Sequence, residues 1–417
     1  MIGINKIIKS QQIKNGIWLY ILQLFQIVIP LMTFPYVTRV LGANSYGDFS
    51  VALVVVTYIQ IIVEYGFNYS GTRKMALSDA NYYSEIYSNI FFAKVILSVI
   101  SIAIMIILFA VSNYSEIQKA CIICLSGIII GSLLQQTWVF QGLQQMKYIT
   151  ITTVIARIIS VFLIFLYVKK SDDVLVYCIL YASTNVISGC MSIIICKKQF
   201  GMRPRFLGIK KIYAEFKDGF SLFLTSAMAK VVASIGTLFL SLYASSFDIG
   251  VYSAIQKIPN IMVMCYAPIG QVLFPYISKL FVDNKYTAKK LVKILCGPIM
   301  GLVVVICIVV GIMAKDIIML LCGNEYLVGI KYIYILLAWI VFSILNNVLG
   351  SLVLVASGRS REYSVCFGTS VFATIVLNYI FVIKYSCMGV AIATLISEVL
   401  LTTMMAIYIF RHFKELF

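Results

Sequence analysis

Four cationic side chains lie inside long apolar stretches, where an uncompensated charge is costly. Lys230 lies in the middle of Ser221–Gly236, among small residues, and Arg157, Lys94 and Lys257 interrupt three other apolar stretches. A lysine at the centre of a bilayer costs roughly 2.5–3.5 kcal/mol on insertion scales, so Lys230 should face a water-filled cavity or a charged partner. The four side chains are therefore predicted to line a cationic lumen that accepts an anionic substrate.

Two acidic side chains also lie within apolar stretches, Glu64 near the N-terminus and Glu398 near the C-terminus. In one interpretation they are counter-ions of the lumen or groups that couple transport to an ion. In the other, they are structural: Glu64 pairs with Arg73 or Lys94, and Glu398 pairs with a cation in its own half of the chain. The sequence leaves both interpretations open.

Several other kinds of chemistry are not indicated. The one histidine, His412, lies in the tail, and the CxxC spacing of Cys121 and Cys124 falls on an apolar helix, so neither a metal site nor a cofactor is predicted. Motifs of ATP-binding loops, kinases and nucleophile elbows do not occur. The net charge of +17 is interpreted as cytoplasmic loops rich in lysine and arginine rather than as a nucleic-acid surface.

The elements that must position these residues are apolar stretches of about one bilayer thickness. The chain of 417 residues is 61% hydrophobic and 12% charged, and its mean hydropathy is +0.99. In lipid each stretch must be helical, because its backbone groups have no other partner. We therefore predict an all-α integral membrane protein with about twelve transmembrane helices. The predicted spans are 16–38, 49–70, 86–111, 118–141, 148–168, 173–196, 216–242, 250–276, 287–313, 327–355, 362–383 and 387–410.

Lysine and arginine are concentrated in every second connection between these spans. The longest such connection, 197–217, holds Lys197, Lys198, Arg203, Arg205, Lys210, Lys211 and Lys217. Because basic loops stay on the cytoplasmic side, both termini are predicted to be cytoplasmic, which requires an even number of spans.

The same basic connection divides the chain into two similar halves. It is predicted to link an N-terminal six-helix bundle, 1–196, to a C-terminal six-helix bundle, 218–417. Short motifs recur at the same place in each half: Tyr46-Gly-Asp-Phe-Ser50 with Ile249-Gly-Val-Tyr-Ser253, and Phe140-Gln-Gly142 with Ala356-Ser-Gly358. Repeats that run the same way through the membrane are a transporter architecture, with the substrate site between the halves.

Longer motifs in the first half resemble those of the polysaccharide biosynthesis flippases, the Wzx-type O-antigen transporters. They are Pro35-Tyr-Val-Thr-Arg-Val-Leu-Gly42 followed by Tyr46-Gly47, Glu64-Tyr-Gly-Phe-Asn-Tyr-Ser-Gly-Thr-Arg-Lys74 and Trp138-Val-Phe-Gln-Gly-Leu-Gln-Gln-Met-Lys-Tyr148. Gly250-Val-Tyr-Ser-Ala-Ile-Gln-Lys257 resembles the start of that family's second half. The family belongs to the multidrug/oligosaccharidyl-lipid/polysaccharide exporter superfamily.

The resemblance implies two six-helix bundles around a central cavity, working by alternating access in a bacterial inner membrane. It also implies a substrate of undecaprenyl-pyrophosphate carrying an oligosaccharide repeat unit, with a polysaccharide polymerase and chain-length machinery as candidate partners besides membrane lipid. Energy could come from proton or sodium coupling or from the membrane potential. The matched family positions are Arg39, Gly47, Glu64, Arg73, Gln141, Gly142 and Lys147.

Other functions remain as alternatives. A drug/cation antiporter of the same superfamily would favour acidic over cationic side chains in its cavity, whereas a peptidoglycan-precursor flippase would share the chemistry described above. An integral-membrane polysaccharide polymerase needs a sizeable outer loop, and the longest predicted here, near 314–326, is short. A scaffold would not require buried lysines. We therefore expect a transporter rather than an enzyme.

Overall fold

The computed structural model describes residues 11–412, and these residues form helices joined by short connections, with no strand among them. Eight helical segments in this range are long and apolar enough to cross a membrane. Two of them, Lys14–Leu77 and Ser360–Arg411, are long enough for two crossings each. The prediction of an all-α membrane fold is confirmed.

The helices are numbered here in chain order. They are α1 (Gln11–Glu64), α2 (Phe67–Leu77), α3 (Tyr83–Val111), α4 (Glu116–Leu125), α5 (Gly127–Leu134), α6 (Thr137–Gly142), α7 (Met146–Tyr167), α8 (Val174–Phe200), α9 (Ile209–Tyr243), α10 (Ser246–Asp283), α11 (Lys285–Ile312), α12 (Ala314–Leu321), α13 (Ile330–Asn347) and α14 (Ser360–Arg411). A π-helix, Val348–Val355, continues α13.

Two of the predicted connections are reduced to a single non-helical residue. Within α1 the backbone leaves helical geometry at Gly42, with φ 70° and ψ 173°, so the rest of the predicted connection 39–48 is helical. Within α14 the break is at Ser386, with φ 47° and ψ −129°. A positive φ suits glycine and strains serine, because only glycine lacks the Cβ that crowds this region.

The fourth predicted span, 118–141, consists of three short helices rather than one. Ser126 separates α4 from α5, and Gln135 and Gln136 separate α5 from α6. The last turns of α5 therefore end inside the apolar part of the chain, where their carbonyl groups need partners other than water.

The chain forms two compact units. Unit 1 contains the chain up to Thr33 together with Asp48–Ala233, and unit 2 contains Phe34–Gly47 together with the chain from Ser234. In unit 1 the core surrounds Trp138, which packs with Tyr87 and Phe140. In unit 2 a core cluster lies where the π-helix meets α14. The division into 1–196, 197–217 and 218–417, which follows the internal repeat, remains a prediction.

Most of the predicted linker 197–217 is helical. Helix α8 continues to Phe200 and α9 begins at Ile209, so the irregular connection is 201–208. The reason is that the polar residues beyond the span find protein partners: Lys211 pairs with Glu85 at 2.7 Å. An extra helical turn or two outside the apolar stretch is therefore stabilised.

The repeated glycines Gly47 and Gly250 share one close helix crossing inside unit 2. A Cβ on Gly47 would lie 1.7 Å from the Ser246 carbonyl oxygen, and one on Gly250 would lie 1.9 Å from the Ala43 carbonyl oxygen. Glycine is required at both positions because the two backbones touch. The repeat motif thus marks a packing contact between α1 and α10.

Candidate functional site

Glu64 and Lys230 form an ion pair within unit 1. The Lys230 Nζ lies 2.8 Å from Glu64 Oε2, although the residues are 166 positions apart in the chain. Glu64 is the last residue of α1, and Lys230 lies well inside α9. Their side chains are 26% and 36% exposed, so the pair is reachable by other groups.

Gln60 connects this pair to the broken fourth span. Its Nε2 donates to Glu64 Oε1 at 2.8 Å and to Ser132 Oγ at 2.9 Å. Gln60 lies one helical turn before Glu64 on α1, so both side chains are on the same face. The Glu64 carboxylate is therefore held between an amide on one oxygen and an ammonium on the other.

Lys94 closes the end of α5. Its side chain, with the residue only 2% exposed, donates to the Ser132 carbonyl oxygen at 2.9 Å and to the Gln135 carbonyl oxygen at 3.1 Å. Cations stabilise the C-terminal end of a helix, where unpaired carbonyls carry a partial negative charge. The Glu64 carboxylate is also close enough to act on Lys94 electrostatically.

Gln136 satisfies the other carbonyls at this break. Its Nε2 donates to the Leu133 and Leu134 carbonyl oxygens at 3.1 and 3.2 Å, and its Oε1 accepts from the Trp138 indole at 3.0 Å. The end of α5 is thus fully engaged by Lys94 and Gln136, which explains how a helix can end in an apolar environment.

We call Gln60, Glu64, Lys94, Ser132 and Lys230 the polar cluster of unit 1. It holds two ammonium groups and one carboxylate. Lys94 is buried and donates to backbone carbonyls, whereas Lys230 is partly exposed and pairs with the Glu64 carboxylate. Of the two, Lys94 is the cation that closes a helix end, and Lys230 is the one that pairs with a carboxylate.

The remaining predicted lumen cations lie elsewhere. Arg157 is half-buried on α7, with the Tyr181 phenol of α8 close enough to act on it electrostatically. Lys257 is half-buried on α10 in unit 2. Their predicted contact with a substrate remains a prediction, as does that of Lys94 and Lys230.

Glu398 has a neutral partner rather than a cation among its described contacts. In unit 2 the Asn346 amide donates to the Glu398 carboxylate and, at 3.0 Å, to the Glu398 backbone carbonyl. The Thr402 hydroxyl donates to Asn346 Oδ1 at 2.6 Å. We call Asn346, Glu398 and Thr402 the polar cluster of unit 2.

Among the family positions, Arg39 contacts a helix end. Its guanidinium donates to the Met319 carbonyl oxygen at 3.0 Å and to that of Leu320, which lie in the last turn of α12. Nearby, Glu325 Oε2 accepts from the Ala43 backbone N–H at 3.1 Å, directly after the break at Gly42. In this structure Arg39 and Glu325 hold together the corner where α1 turns.

The family positions after the second span also make packing contacts. The Thr72 hydroxyl lies 3.2 Å from Gln141 Oε1, and a Cβ on Gly142 would lie 2.4 Å from the Met75 Cβ. The Lys147 ammonium lies 4.6 Å from the centre of the Tyr148 ring. Arg73 is exposed, and it is not the described partner of Glu64.

Sequence reasoning singled out Glu64, Lys94 and Lys230 but missed the neutral members that connect them. Gln60 had a usable signal, because it precedes Glu64 by four residues on a helix. Ser132 and Glu325 had none, since each is placed by a helix break or a loop rather than by a periodic pattern.

Comparison with known protein families gives one match that spans most of the chain. The family model described as "Polysaccharide biosynthesis protein" matches residues 13–281. A "Putative O-antigen transporter" of Escherichia coli (strain K12) is 24% identical over 95% of this chain and 96% of that protein. A protein of the same description from Shigella dysenteriae is 28% identical, over 94% and 98% of the two chains.

Solved structures show the same fold at low identity. A lipid II flippase, MurJ, in an inward closed conformation aligns with a TM-score of 0.72 and 14% identity, covering 95% of this chain and 87% of that one. An inward-facing multidrug resistance MATE family transporter aligns with a TM-score of 0.68 and 13% identity, covering 94% and 99%. The fold is therefore that of multi-pass membrane transporters.

Proposed function

Because the chain belongs to the polysaccharide biosynthesis protein family, we propose that it is a flippase for a lipid-linked oligosaccharide. The substrate we propose is undecaprenyl-pyrophosphate carrying one repeat unit of an O-antigen or another surface polysaccharide. It is moved by alternating access from the cytoplasmic to the outer leaflet of a bacterial inner membrane. The observation that carries the proposal is the partly exposed Lys230–Glu64 pair.

The chemistry of that pair suits a pyrophosphate. A polyanion cannot cross hydrocarbon without compensation, and a lysine within a span lowers the barrier. Lys230 is held by Glu64 at 2.8 Å, so an entering pyrophosphate replaces one anionic partner with another. When the pyrophosphate leaves, Glu64 pairs with Lys230 again, so the lysine is not left without a partner.

The comparisons support transport over the alternative functions. Relatives similar over nearly the full chain are described as O-antigen transporters, which favours a flippase over a polysaccharide polymerase. The likeness to the MATE and lipid II transporters concerns the fold alone. Drug/cation antiport is the alternative that the experiment below distinguishes.

We also propose that Glu64 is the group through which coupling to an ion acts. A coupling cation bound by the Glu64 carboxylate would compete with Lys230 for it, so the ammonium would become available to the substrate. An inside-negative membrane potential would add about 2.3 kcal/mol per charge per 100 mV to the outward movement of net negative charge.

The test uses purified protein in liposomes with labelled undecaprenyl-pyrophosphate oligosaccharide in the inner leaflet. The measurement is the rate at which label becomes accessible outside, with and without a membrane potential. Lys230→Ala should slow this rate about ten- to hundred-fold, the range expected for loss of one charged hydrogen bond to the substrate. Lys384→Ala, which removes an exposed lysine of α14, is the matched control and should leave the rate unchanged.

Two outcomes would overturn the proposal. One is the absence of movement by folded wild-type protein. The other is equal rates for wild type and Lys230→Ala, which would show that transport does not depend on Lys230. Export of a cationic dye by the same liposomes, in place of lipid movement, would instead support the antiporter.

A further inference from the structure

The irregular connection 201–208 is fixed to helix α3 rather than being a loose tether. The Arg205 backbone N–H donates to Ser88 Oγ at 3.1 Å, and the Ser88 hydroxyl lies 3.4 Å from the Arg203 carbonyl oxygen. The Phe206 ring meets the Phe92 ring edge-on at 5.5 Å. The exposed side chains of this connection are therefore presented in a defined arrangement.

The first turns of α9 are held in the same way on one face. Lys74 of α2 pairs with Glu215 and Asp218, each at 2.8 Å. Ile212 is 1% exposed and belongs to the core of unit 1. Burial raises the pKa of the Glu215 carboxyl, while the Lys74 ammonium opposes that shift. This face anchors the helix to the protein.

The opposite face carries an apolar stripe that no described residue covers. Ile209, Tyr213, Phe220 and Leu224 are each more than half exposed. At 3.6 residues per turn these four positions fall within about 60° of one another around the helix. The stripe therefore faces one direction along the first four turns of α9.

Basic residues border this stripe. Lys210 and Lys217 lie next to it on the helix, and Arg203 and Arg205 precede it; all four are exposed. The 35 residues of α9 span roughly 52 Å, against about 30 Å of hydrocarbon, so part of the helix must extend into the headgroup region. The basic first turns are the part that suits this region.

We propose that this surface binds anionic phospholipid headgroups of the leaflet that the basic connections face. The four basic side chains pair with phosphodiester anions, and the apolar stripe lies against the acyl chains beneath them. A basic amphipathic face of this composition is what binding to an anionic membrane surface requires. We call Arg203, Arg205, Lys210 and Lys217 the basic rim; it is distinct from the Lys230–Glu64 pair.

The first test measures retention of lipid by the full-length protein. Wild-type protein is released for native mass spectrometry from micelles with equal amounts of phosphatidylglycerol and phosphatidylcholine. A variant with all four residues of the basic rim changed to Gln should retain at least about ten-fold less phosphatidylglycerol, with phosphatidylcholine unchanged. A matched control removes four exposed charges from the end of α10 and the start of α11, by Lys279→Gln, Lys285→Gln, Lys290→Gln and Lys293→Gln.

The second test needs no variant and so does not depend on the folding of one. Hydrogen exchange of peptides covering 203–217 is compared for wild type in nanodiscs of phosphatidylcholine with and without phosphatidylglycerol. Slower exchange with phosphatidylglycerol is expected there and not in 279–293. Equal loss of phosphatidylglycerol in both variants would show an effect of net charge only. Equal exchange of 203–217 with and without phosphatidylglycerol would show that this surface does not bind the headgroup. Either result would overturn the site. Neither readout involves flipping, so failure here leaves the proposed transport untouched.

Discussion

The two units solve the problem of polar groups in a membrane in different ways. Unit 1 buries charge: Lys94 closes a broken helix, and the Lys230–Glu64 pair lies beside it. Unit 2 pairs the Glu398 carboxylate with a neutral amide, and it brings two backbones into contact at Gly47 and Gly250. Among the contacts described here, the ion pair between two membrane helices lies in unit 1, which is where we expect substrate chemistry.

Lys94 should be the residue on which the stability of unit 1 depends most. Lys94→Met keeps the side-chain length but leaves the Ser132 and Gln135 carbonyls without their donor. We expect the free energy of unfolding to fall by about 2–4 kcal/mol. The reason is that the two carbonyl groups stay buried, away from water, with no donor to offset their lost hydration. The measurement is the thermal unfolding midpoint in detergent. Lys384→Met, an exposed lysine in unit 2, is the control, and equal midpoints for the two variants would contradict the prediction.

In unit 2, substitutions at the close crossing of Gly47 and Gly250 should reduce stability most. Gly47→Ala and Gly250→Ala each place a Cβ under 2 Å from a carbonyl oxygen, so the helices must separate. We expect about 1–3 kcal/mol of destabilisation for each, and less than the sum for the double variant, since one separation relieves both clashes.

The control for this crossing is Gly301→Ala in α11, where no atom lies within 4 Å of the added Cβ. That variant should be as stable as wild type or slightly more stable, because alanine favours a helix over glycine. A loss of stability in Gly301→Ala equal to that in Gly47→Ala would show that an added methyl group destabilises these helices even where it meets no atom, so the crossing would not explain the effect.

If the substrate replaces Glu64 at Lys230, then removing the Glu64 carboxylate should lower both the turnover rate and the half-saturating substrate concentration. Glu64→Gln removes the carboxylate that competes with the pyrophosphate, so substrate should bind more tightly and leave more slowly. We expect about ten-fold slower turnover with a lower half-saturating substrate concentration, measured by the liposome assay. Glu398→Gln, the carboxylate of unit 2, should change neither. Weaker binding in Glu64→Gln would argue against competition for Lys230.

The sequence predicts the helices well because lipid imposes one solution on an apolar stretch. It also identifies Glu64 and Lys230, since a charge within such a stretch is conspicuous. It does not predict that they pair, because 166 residues separate them and the sequence of one helix does not show which other helix packs against it. The alternative partners Arg73 and Lys94 were near in sequence, whereas the observed partner is near only in the fold.

Two further features depended on tertiary structure. The predicted connection 39–48 is helical apart from Gly42, because one residue with positive φ is enough to redirect a helix. The predicted linker 197–217 is largely helical because Lys211 and Glu215 find partners on α3 and α2. Hydropathy marks where apolar helices end, but it carries no information about such polar contacts.

The smallest effect should come from the hydroxyl at the edge of the unit 2 cluster. Thr402→Val is nearly isosteric and removes the donor to Asn346 Oδ1, while the Asn346 bond to Glu398 remains. Hydrogen bonds between membrane helices contribute on average about 0.6 kcal/mol, so the unfolding midpoint should barely move and transport should be unchanged. A loss comparable to that of Lys94→Met would mean that the neutral cluster carries as much stability as the charged one, and the contrast between the two units would not hold.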